Sequence, residues 1–313
     1  MMGRKQKISV IISAYNSTKD LETCLESIRR FSADSDPEVI VVDNNSPDRS
    51  CLQLQDKFPW VHFFFLDSNN GFGAANNYGL DQASGEYILF LNPDTVFSED
   101  SFSVGANYMD AHPSVGALSF MMLWPDGSPQ YCYNKFPAVR EELLVTFYLD
   151  VAAHRRLVRR DYEEQLSKGI PLNVDWVAGA CLMTRRSVLN KVGRFDESFF
   201  VFFEDIDLCH RIRSAGWEIH YIPQTRITHI GGASTGVNSF FLVYQRNRSK
   251  YIYFRKQFGL MSRMLVFFLA TLGLLLRIVA TFLFRYNSGA EALARRRAYL
   301  RSVRIFLKGS VDE

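Results

Sequence analysis

The chain has 313 residues, of which 47% are hydrophobic and 22% charged, and its formal net charge is +3. This length allows about two domains, and the composition is that of a globular protein rather than a disordered or collagen-like one. The five cysteines include no C-x-x-C pair. That pattern argues against a secreted disulfide framework and against a zinc ribbon, and it fits reduced thiols in the cytosol.

Alternating apolar strands and amphipathic helices are predicted along the first third of the chain. The apolar run at 8–14 is short and leads into polar residues without a cleavage site, which favours a strand over a signal peptide. Strands are predicted at 7–14, 38–43, 61–66 and 86–91, and helices at 18–31, 50–57 and 73–84. The pattern predicts an α/β fold with a mostly parallel, Rossmann-like sheet flanked by helices, and ligands bind beyond the carboxyl ends of such strands.

Small polar residues and carboxylates follow all four predicted strands. In chain order they are Ala14-Tyr15-Asn16, Asp43-Asn44, the turn Asn70-Gly71-Phe72-Gly73-Ala74-Ala75-Asn76-Asn77, and Asn92-Pro93-Asp94. Any one of these segments is ordinary turn chemistry, because Asn, Asp and Gly dominate turns. Four of them at one rim indicate a polar ligand.

Two classes of ligand are considered for this rim. A dinucleotide is disfavoured, because Asn76 replaces the third glycine of the fingerprint and the motif follows the third strand instead of the first. For a nucleotide sugar, Asp43 could accept a hydrogen bond from the base or ribose, and Asn76 and Asn77 could meet the ribose or phosphate. Asp94, on a proline-stiffened turn, could hold Mg²⁺ or Mn²⁺ against a diphosphate.

The second half of the chain carries candidate catalytic groups. A strand is predicted at 175–183 with Trp176 exposed at its start, and Glu204-Asp205 open a helix that continues to 216. Phenylalanines before this pair would raise the pKa of its carboxyls, as a general base requires, whereas acids at a helix start are also explained by the helix dipole. His229 ends a strand before a glycine loop, where either a structural or a ligand-binding role is open.

A basic and partly apolar tail follows. Residues 246–308 hold fourteen of the 36 Lys and Arg residues and one acid, and 264–284 contain a single charge, Arg277. This segment is borderline for a membrane span, and basic flanks on both sides favour a helix lying in the membrane interface or a re-entrant hairpin over a span. A buried core helix is the alternative, and nucleic acid is disfavoured because the apolar run has no use there. A helix predicted at 139–162 carries four arginines, on a solvated face or a second membrane contact.

Nine motifs in order over about residues 7–260 resemble those of bacterial family 2 glycosyltransferases of GT-A fold, in the rhamnosyltransferase-like branch. They are Val10-Ile11-Ile12-Ser13-Ala14-Tyr15-Asn16, Val41-Val42-Asp43-Asn44, Asn70-Gly71-Phe72-Gly73-Ala74-Ala75-Asn76, Leu91-Asn92-Pro93-Asp94, Gly179-Ala180, Phe195-Asp196-Glu197-x-Phe199-Phe200, Glu204-Asp205-x-Asp207-Leu208-x-x-Arg211, Ala215-Gly216-Trp217 and His229-x-x-Gly232.

The resemblance implies a role for each matching residue. The nucleotide sugar would contact Ala14, Tyr15, Asn16, Asp43, Asn44, Gly71, Phe72, Gly73, Asn76, Asn92 and Asp94. Asp94 stands at the family's D-x-D metal motif, in which this chain has Asn92 at the first aspartate, so metal ligation rests on Asp94 and His229. Asp205 matches the catalytic base, and the acceptor would contact Glu204, Trp176 and Gly179.

The resemblance also implies an activity and a location. Residues 1–245 would form the glycosyltransferase domain, with a nucleotide-sugar half (1–125) and an acceptor half (126–245), and 246–313 a membrane-associated helical tail. The expected enzyme is inverting, dependent on Mg²⁺ or Mn²⁺, and transfers one L-rhamnose from dTDP-L-rhamnose to a polyprenyl-diphosphate-linked saccharide. It would lie on the anionic cytoplasmic face of the bacterial inner membrane, peripheral or monotopic, with no nucleic-acid partner. A UDP-hexose or furanose donor, or a catalytically silent membrane scaffold, are the alternatives.

Overall fold

The structure is a computed structural model that describes residues 7–47, 49, 51–146, 168–231, 239–283 and 289–308. Its contacts divide the chain into two compact units that alternate along the sequence. Unit 1 comprises Met1–Phe136, Tyr162–Glu197 and Glu204–Ser234, and unit 2 comprises Pro137–Asp161, Ser198–Phe203 and Thr235–Glu313. The domain boundary placed at residue 245 from the sequence stays a prediction.

Unit 1 contains all the strands and most of the short helices. Its strands are β1 (Ile8–Ala14), β2 (Glu38–Asp43), β3 (Val61–Phe65), β4 (Tyr87–Leu91), β5 (Thr95–Phe97), β6 (Val115–Leu123), β7 (Tyr133–Asn134), β8 (Leu172–Asn173), β9 (Trp176–Val177), β10 (Cys181–Arg185) and β11 (Glu218–His229). Its helices are α1 (Thr18–Phe31), α2 (Cys51–Lys57), α3 (Phe72–Gln82), α4 (Ser101–Ala111), α6 (Arg186–Val192) and α7 (Glu204–Ser214), numbered with the unit 2 helices in one series.

A mixed sheet organises unit 1. Its strand order is β3-β2-β1-β4-β10-β6-β11-β5, and β8 pairs with β11. The first four strands are parallel, as predicted, and β6 is parallel to β11, whereas β10 runs antiparallel to both of its neighbours. The α/β class with flanking helices is therefore confirmed. The sequence does not predict strands at β5 and β8, nor that β10, which overlaps the strand predicted at 175–183, runs antiparallel.

The core of unit 1 follows from the apolar strands. Every residue of β1 and β4 is buried, because α3 and other helices cover the sheet. Helix α1 buries Leu21, Cys24, Leu25 and Ile28, the face expected from its spacing. All five cysteines are buried as thiols.

Two predicted elements differ in the structure. The strand predicted at 175–183 is divided into β9 and β10, because a turn at 178–180 interrupts it. The helix predicted at 139–162 is observed as α5 (Val139–Thr146). Its remaining residues, including the four arginines, lie outside the described residues.

Unit 2 contains α5, α8 (Ser239–Gln257), α9 (Leu260–Leu283) and α10 (Gly289–Lys308). Helix α9 is the one described helix that is long and apolar enough to cross a membrane, over Leu260–Thr281. Its small and polar positions face the other helices: Ala270 and Gly273 are buried, and Thr281 accepts hydrogen bonds from Arg296 of α10.

Apolar side chains lie on the outer face of α9 as well as on its inner face, where Val266, Leu269 and Leu274 are buried. Met261 is 80% exposed, Phe268 64% and Met264 59%, and Val279 is exposed as well. A helix at the surface of a water-soluble unit normally carries polar side chains on its outer face. The outward apolar face of α9 is the feature of unit 2 that needs a partner.

Candidate active site

Asp43 lies at the carboxyl end of β2 with one unsatisfied oxygen. Its side chain is 3% exposed, and Oδ1 accepts a hydrogen bond from the Ser46 amide at 2.7 Å. The buried Oδ2 accepts no hydrogen bond from any described residue. An unpaired buried acceptor is costly, so this oxygen is suited to a donor N–H or O–H from a ligand.

Asn44 fixes the glycine-rich turn. Its backbone N–H donates to Ala14 O at 2.8 Å. Its side-chain Nδ2 donates to Asn69 Oδ1 at 2.9 Å and to Gly71 O at 3.0 Å. Its Oδ1 accepts from the Asn70 amide at 3.2 Å. The side chain of Asn44 is thus engaged in shaping the turn, so Asn44 can act on a ligand through the turn's geometry.

The glycine-rich turn leads into α3 and packs closely against the loop at Phe195. Gly71 has a φ of +92°, a conformation that glycine adopts without strain. A Cβ on Gly73 would lie 3.2 Å from Cβ of Phe195, so a side chain there would crowd the loop at 195. Nearby, Tyr15 is half-buried and Asn16 is exposed.

The two asparagines at the start of α3 have different environments. Asn77 is fully engaged: its Oδ1 accepts from the Phe195 amide, and its Nδ2 donates to Phe195 O and Glu197 Oε1. It therefore joins α3 to the loop at 195–197 and has no atom left for a ligand. Asn76 donates to Phe72 O at 2.9 Å, and its buried Oδ1 accepts no hydrogen bond from the described residues.

Asp94 and His229 are brought together by the sheet. β5 pairs with β11 so that Thr95 lies opposite His229, and His229 Nε2 is 3.3 Å from Asp94 Oδ1. His229 Nδ1 is 2.6 Å from Gln130 Oε1, an oxygen that only accepts, which assigns the ring proton to Nδ1. In the neutral ring Nε2 then carries a lone pair, and it lies 3.3 Å from the side-chain Nδ2 of Asn92.

This tautomer leaves a lone pair and a carboxylate oxygen facing each other. Asp94 is 3% exposed, its Oδ2 accepts from the Gly231 amide at 3.1 Å, and Oδ1 accepts no hydrogen bond from the described residues. Burial raises the pKa of Asp94, but the hydrogen bond and charge of His229 in its protonated form, together with the Asp94 and Gly231 amides, lower it by more, so that the net pKa lies below its ordinary value. Asp94 is therefore an ionised carboxylate with one oxygen open to a cation.

The residues present suit a divalent cation whose coordination shell is completed by substrate phosphates and water. Among the described residues, no group of three or more His, Cys, Asp or Glu side chains converges on one point. Asp94 and His229 thus offer two protein ligands. Mg²⁺ is commonly held by one or two carboxylates with substrate phosphates and water completing its shell, and such a site matches that donor set.

The carboxylate pair opens α7. Asp205 is half-buried, and its Oδ2 accepts from the Gly179 amide at 2.9 Å while Oδ1 accepts from the Ile206 amide at 2.8 Å. A Cβ on Gly179 would lie 3.3 Å from Cβ of Asp205, so glycine permits this approach. Glu204 is 5% exposed, and its Oε2 accepts no hydrogen bond from the described residues.

The two carboxyls differ in acidity. Burial, with the charge of Asp205 added, raises the pKa of Glu204 well above its ordinary value. Burial also raises the pKa of Asp205, and the Gly179 and Ile206 amides oppose that rise. Glu204 therefore holds its proton more firmly, and Asp205 is the member of the pair that ionises first.

A strained backbone precedes this pair. Phe202 and Phe203 both have a φ of +69°, a left-handed conformation rare for bulky residues. Within unit 2, Arg248 of α8 donates to Ser198 O and Ser249 donates to Val201 O, which holds the segment Ser198–Phe203 against that helix.

Trp176 differs from its sequence expectation. It is half-buried rather than exposed, and its Nε1 donates to Lys135 O at 2.9 Å. Gln130 and Gly231, which orient His229 and Asp94, were not found from the sequence, because a contact between distant segments leaves no local pattern.

A family model named Glycosyl transferase family 2 matches residues 9–193. The chain therefore belongs to glycosyl transferase family 2, and it is a glycosyltransferase.

Two relatives and one solved structure are similar over most of the chain. The N-acetylglucosaminyl-diphospho-decaprenol L-rhamnosyltransferase of Mycobacterium tuberculosis is 26% identical over 261 residues, covering 79% of this chain and 83% of the relative. Rhamnosyltransferase WbbL of Escherichia coli is 27% identical over 232 residues, covering 71% and 83%. The mannosyltransferase PcManGT of Pyrobaculum calidifontis, solved with GDP-Man and Mn²⁺, superimposes with a TM-score of 0.59 at 15% identity, over 98% of this chain and 89% of that one. That likeness supports the GT-A fold.

The raised pKa of Glu204 predicts a pH-dependent effect on stability. A carboxyl whose pKa is raised by folding stabilises the protein below its unfolded pKa, and that contribution is lost as the pH rises through the folded pKa. The difference between the Tm of Glu204→Gln and the Tm of the parent should therefore be about 2–4 °C larger, in favour of the variant, at pH 8 than at pH 5. Thermal unfolding at both pH values measures this, with the exposed Glu86→Gln as control. A difference between variant and parent that does not change with pH would contradict the assignment.

Proposed function

We propose that this glycosyltransferase moves one L-rhamnosyl group, with inversion, from dTDP-L-rhamnose to a lipid-linked saccharide. The observation that carries the proposal is the Asp205 carboxylate, half-buried, held by the Gly179 amide and paired with a more weakly acidic Glu204. Such a carboxylate suits the deprotonation of a sugar hydroxyl near neutral pH. The rhamnosyl donor is supported by the names of the two rhamnosyltransferase relatives.

The nucleotide end of the donor is assigned to the rim of β1, β2 and α3. Asp43 Oδ2 accepts from the base or ribose, between Ala14, Tyr15 and Asn16 on one side and the turn of Gly71, Phe72 and Gly73 on the other. Asn76 Oδ1 is a second unpaired acceptor within reach of the α3 start. Asn44 holds the turn in place.

The diphosphate is assigned to Asn92, Asp94 and His229. Asp94 and His229 would hold Mg²⁺ or Mn²⁺, which neutralises the charge of a leaving nucleoside diphosphate. Gln130 keeps the proton of His229 on Nδ1, so that Nε2 stays available.

The reaction centre is assigned to Asp205 and its surroundings. Asp205 takes the proton of the acceptor hydroxyl, whose oxygen attacks the anomeric carbon from the face opposite the diphosphate. The new glycosidic bond forms as the bond from the anomeric carbon to the diphosphate breaks, and its electron pair leaves with the nucleoside diphosphate. Glu204, Trp176 and Gly179 border the acceptor, with Glu204 neutral and able to donate a hydrogen bond.

The tail is assigned to the membrane surface on the cytoplasmic side. The outward apolar face of α9 supports burial in lipid, and α10 presents Arg297, Arg301 and Arg304 on its exposed side, which supports contact with anionic headgroups. In this proposal residues 1–245 act as the catalytic domain, with halves at 1–125 and 126–245, and 246–313 bind the membrane. A polyprenyl-diphosphate acceptor would be met there, in keeping with the decaprenol named for the mycobacterial relative.

A donor panel tests the substrate and metal together. Purified protein in detergent is incubated with dTDP-, UDP- and GDP-sugars, with Mg²⁺, Mn²⁺ or EDTA, and nucleotide release is measured. We expect release from dTDP-L-rhamnose that EDTA abolishes, and Asp94→Asn should lower it more than about tenfold, because a metal ligand is lost. The exposed Asp81→Asn is the control. Selection of a UDP-hexose or furanose donor would overturn the rhamnosyl assignment, and binding of none would favour the silent scaffold.

Asp205→Asn tests the base. The amide oxygen can still accept from the Gly179 amide, although the Ile206 amide loses its acceptor, and it cannot take a proton, so turnover should fall about 10²–10⁴-fold while nucleotide binding stays at the parental level. The exposed Asp34→Asn should keep parental turnover. Parental activity of Asp205→Asn would remove the base assignment.

Flotation tests the membrane face. Met264→Glu with Phe268→Glu places two charges on the outward face of α9, and the protein should no longer float with vesicles that contain phosphatidylglycerol. Leu52→Glu, at an exposed apolar position of α2, is the matched control. Flotation of the double variant at the parental level would count against burial of this face in lipid.

A further inference from the structure

Trp124 is a large exposed aromatic that the proposed mechanism does not use. It follows β6 directly and is 41% exposed. A tight turn fixes its backbone: the Trp124 amide donates to Ser128 O at 2.8 Å, and the Gly127 amide donates to Trp124 O at 2.9 Å. The indole is therefore presented to solvent from a defined position.

The indole lies against the backbone beside Asp94. A Cβ at Gly231 would be 2.9 Å from Trp124 Cζ3, so only glycine allows the ring this close, and Gly231 has a φ of +78°. The Gly231 amide in turn donates to Asp94 Oδ2. The hairpin that carries Trp124 also carries Gln130, which orients His229. One hairpin thus places an aromatic ring and an orienting amide at the same polar cluster.

The contacts around Asp94 show which part of a donor would reach this ring. Asp43 ends β2, and Asp94 lies between β4 and β5, where its backbone O accepts from the Ile230 amide next to the end of β11. Asp94 is therefore close to Gly231, on which Trp124 packs. On the other side, the Asn92 amide donates to Ala180 O, next to the Gly179 amide that holds Asp205. The sugar of a donor whose base is at Asp43 and whose diphosphate is at Asp94 is thus in reach of both Trp124 and Asp205.

We propose that Trp124 is a sugar-binding residue whose indole forms the platform for a pyranose ring at the reaction centre. The apolar C–H face of a pyranose packs on an aromatic face, which buries apolar area and leaves the hydroxyls free for polar contacts. The ring belongs to the donor or to the acceptor saccharide, and the experiment distinguishes these. The inference rests on the assignment of the nucleotide to Asp43 and of the diphosphate to Asp94.

Binding and kinetics of Trp124→Ala and Trp124→Phe test the proposal. For a donor platform, Trp124→Ala should weaken dTDP-L-rhamnose about five- to tenfold in calorimetry and leave dTDP within twofold, because dTDP lacks the sugar. For an acceptor platform, donor affinity stays constant and KM for an N-acetylglucosaminyl-diphosphoryl lipid rises by a similar factor. In both cases Trp124→Phe should restore most of the loss, and Trp60→Phe, at the far edge of the sheet, should have no effect.

Three results would overturn the proposal. They are parental constants for both substrates in Trp124→Ala, equal weakening of dTDP and dTDP-L-rhamnose, and a loss that Trp124→Phe does not restore. Failure of the rhamnosyl assignment is recognised separately, because the parental protein would then not bind dTDP-L-rhamnose. In that case the same comparison is made with the nucleotide and nucleotide sugar that the donor panel selects.

Discussion

The antiparallel pairing of β10 with β4 is the constraint on which the candidate active site depends. It places Cys181 opposite Leu91, and the Asn92 amide donates to Ala180 O at 2.9 Å. The turn just before β10 is thereby fixed beside the polar end of β4. Because that turn also supplies the Gly179 amide to Asp205, one strand pairing joins the edge of the sheet proposed to bind the nucleotide to the carboxylate pair from far along the chain.

The first half of the fold was predictable because its signals are local. Buried parallel strands form short, mostly apolar runs, and the apolar residues of the helices between them repeat every three to four residues, so the sequence alone predicts β1 to β4 and α1 to α3 nearly to the residue. The mixed second half has shorter strands, and a turn at 178–180 divides what reads as one apolar run. Neither the turn nor the reversal of β10 has a signature in the residues that form it.

The site shows the same division. Residue types at strand ends mark Asp43 and Asp94 as candidates, the acidic pair at a helix start marks Asp205, and His229 does lie at the end of β11. What the sequence could not reveal is which polar atoms are already in use. The hydrogen-bonding groups of the Asn77 side chain are all used in joining α3 to the loop at 195–197. The tautomer of His229 depends on Gln130, which is 99 residues away. Such partnerships depend on tertiary contacts.

The two consecutive left-handed phenylalanines have a consequence for how this protein tolerates change. Such backbone conformations cost about 1–3 kcal/mol each, and Phe202 and Phe203 adopt them just before Glu204. A glycine at either position would relieve that cost, but it would also remove the contact of the Phe202 ring with Arg246 or of the Phe203 ring with Tyr253. The backbone and the side chain therefore make opposite demands at these two positions, and exchanges that keep an aromatic ring are expected to be tolerated best.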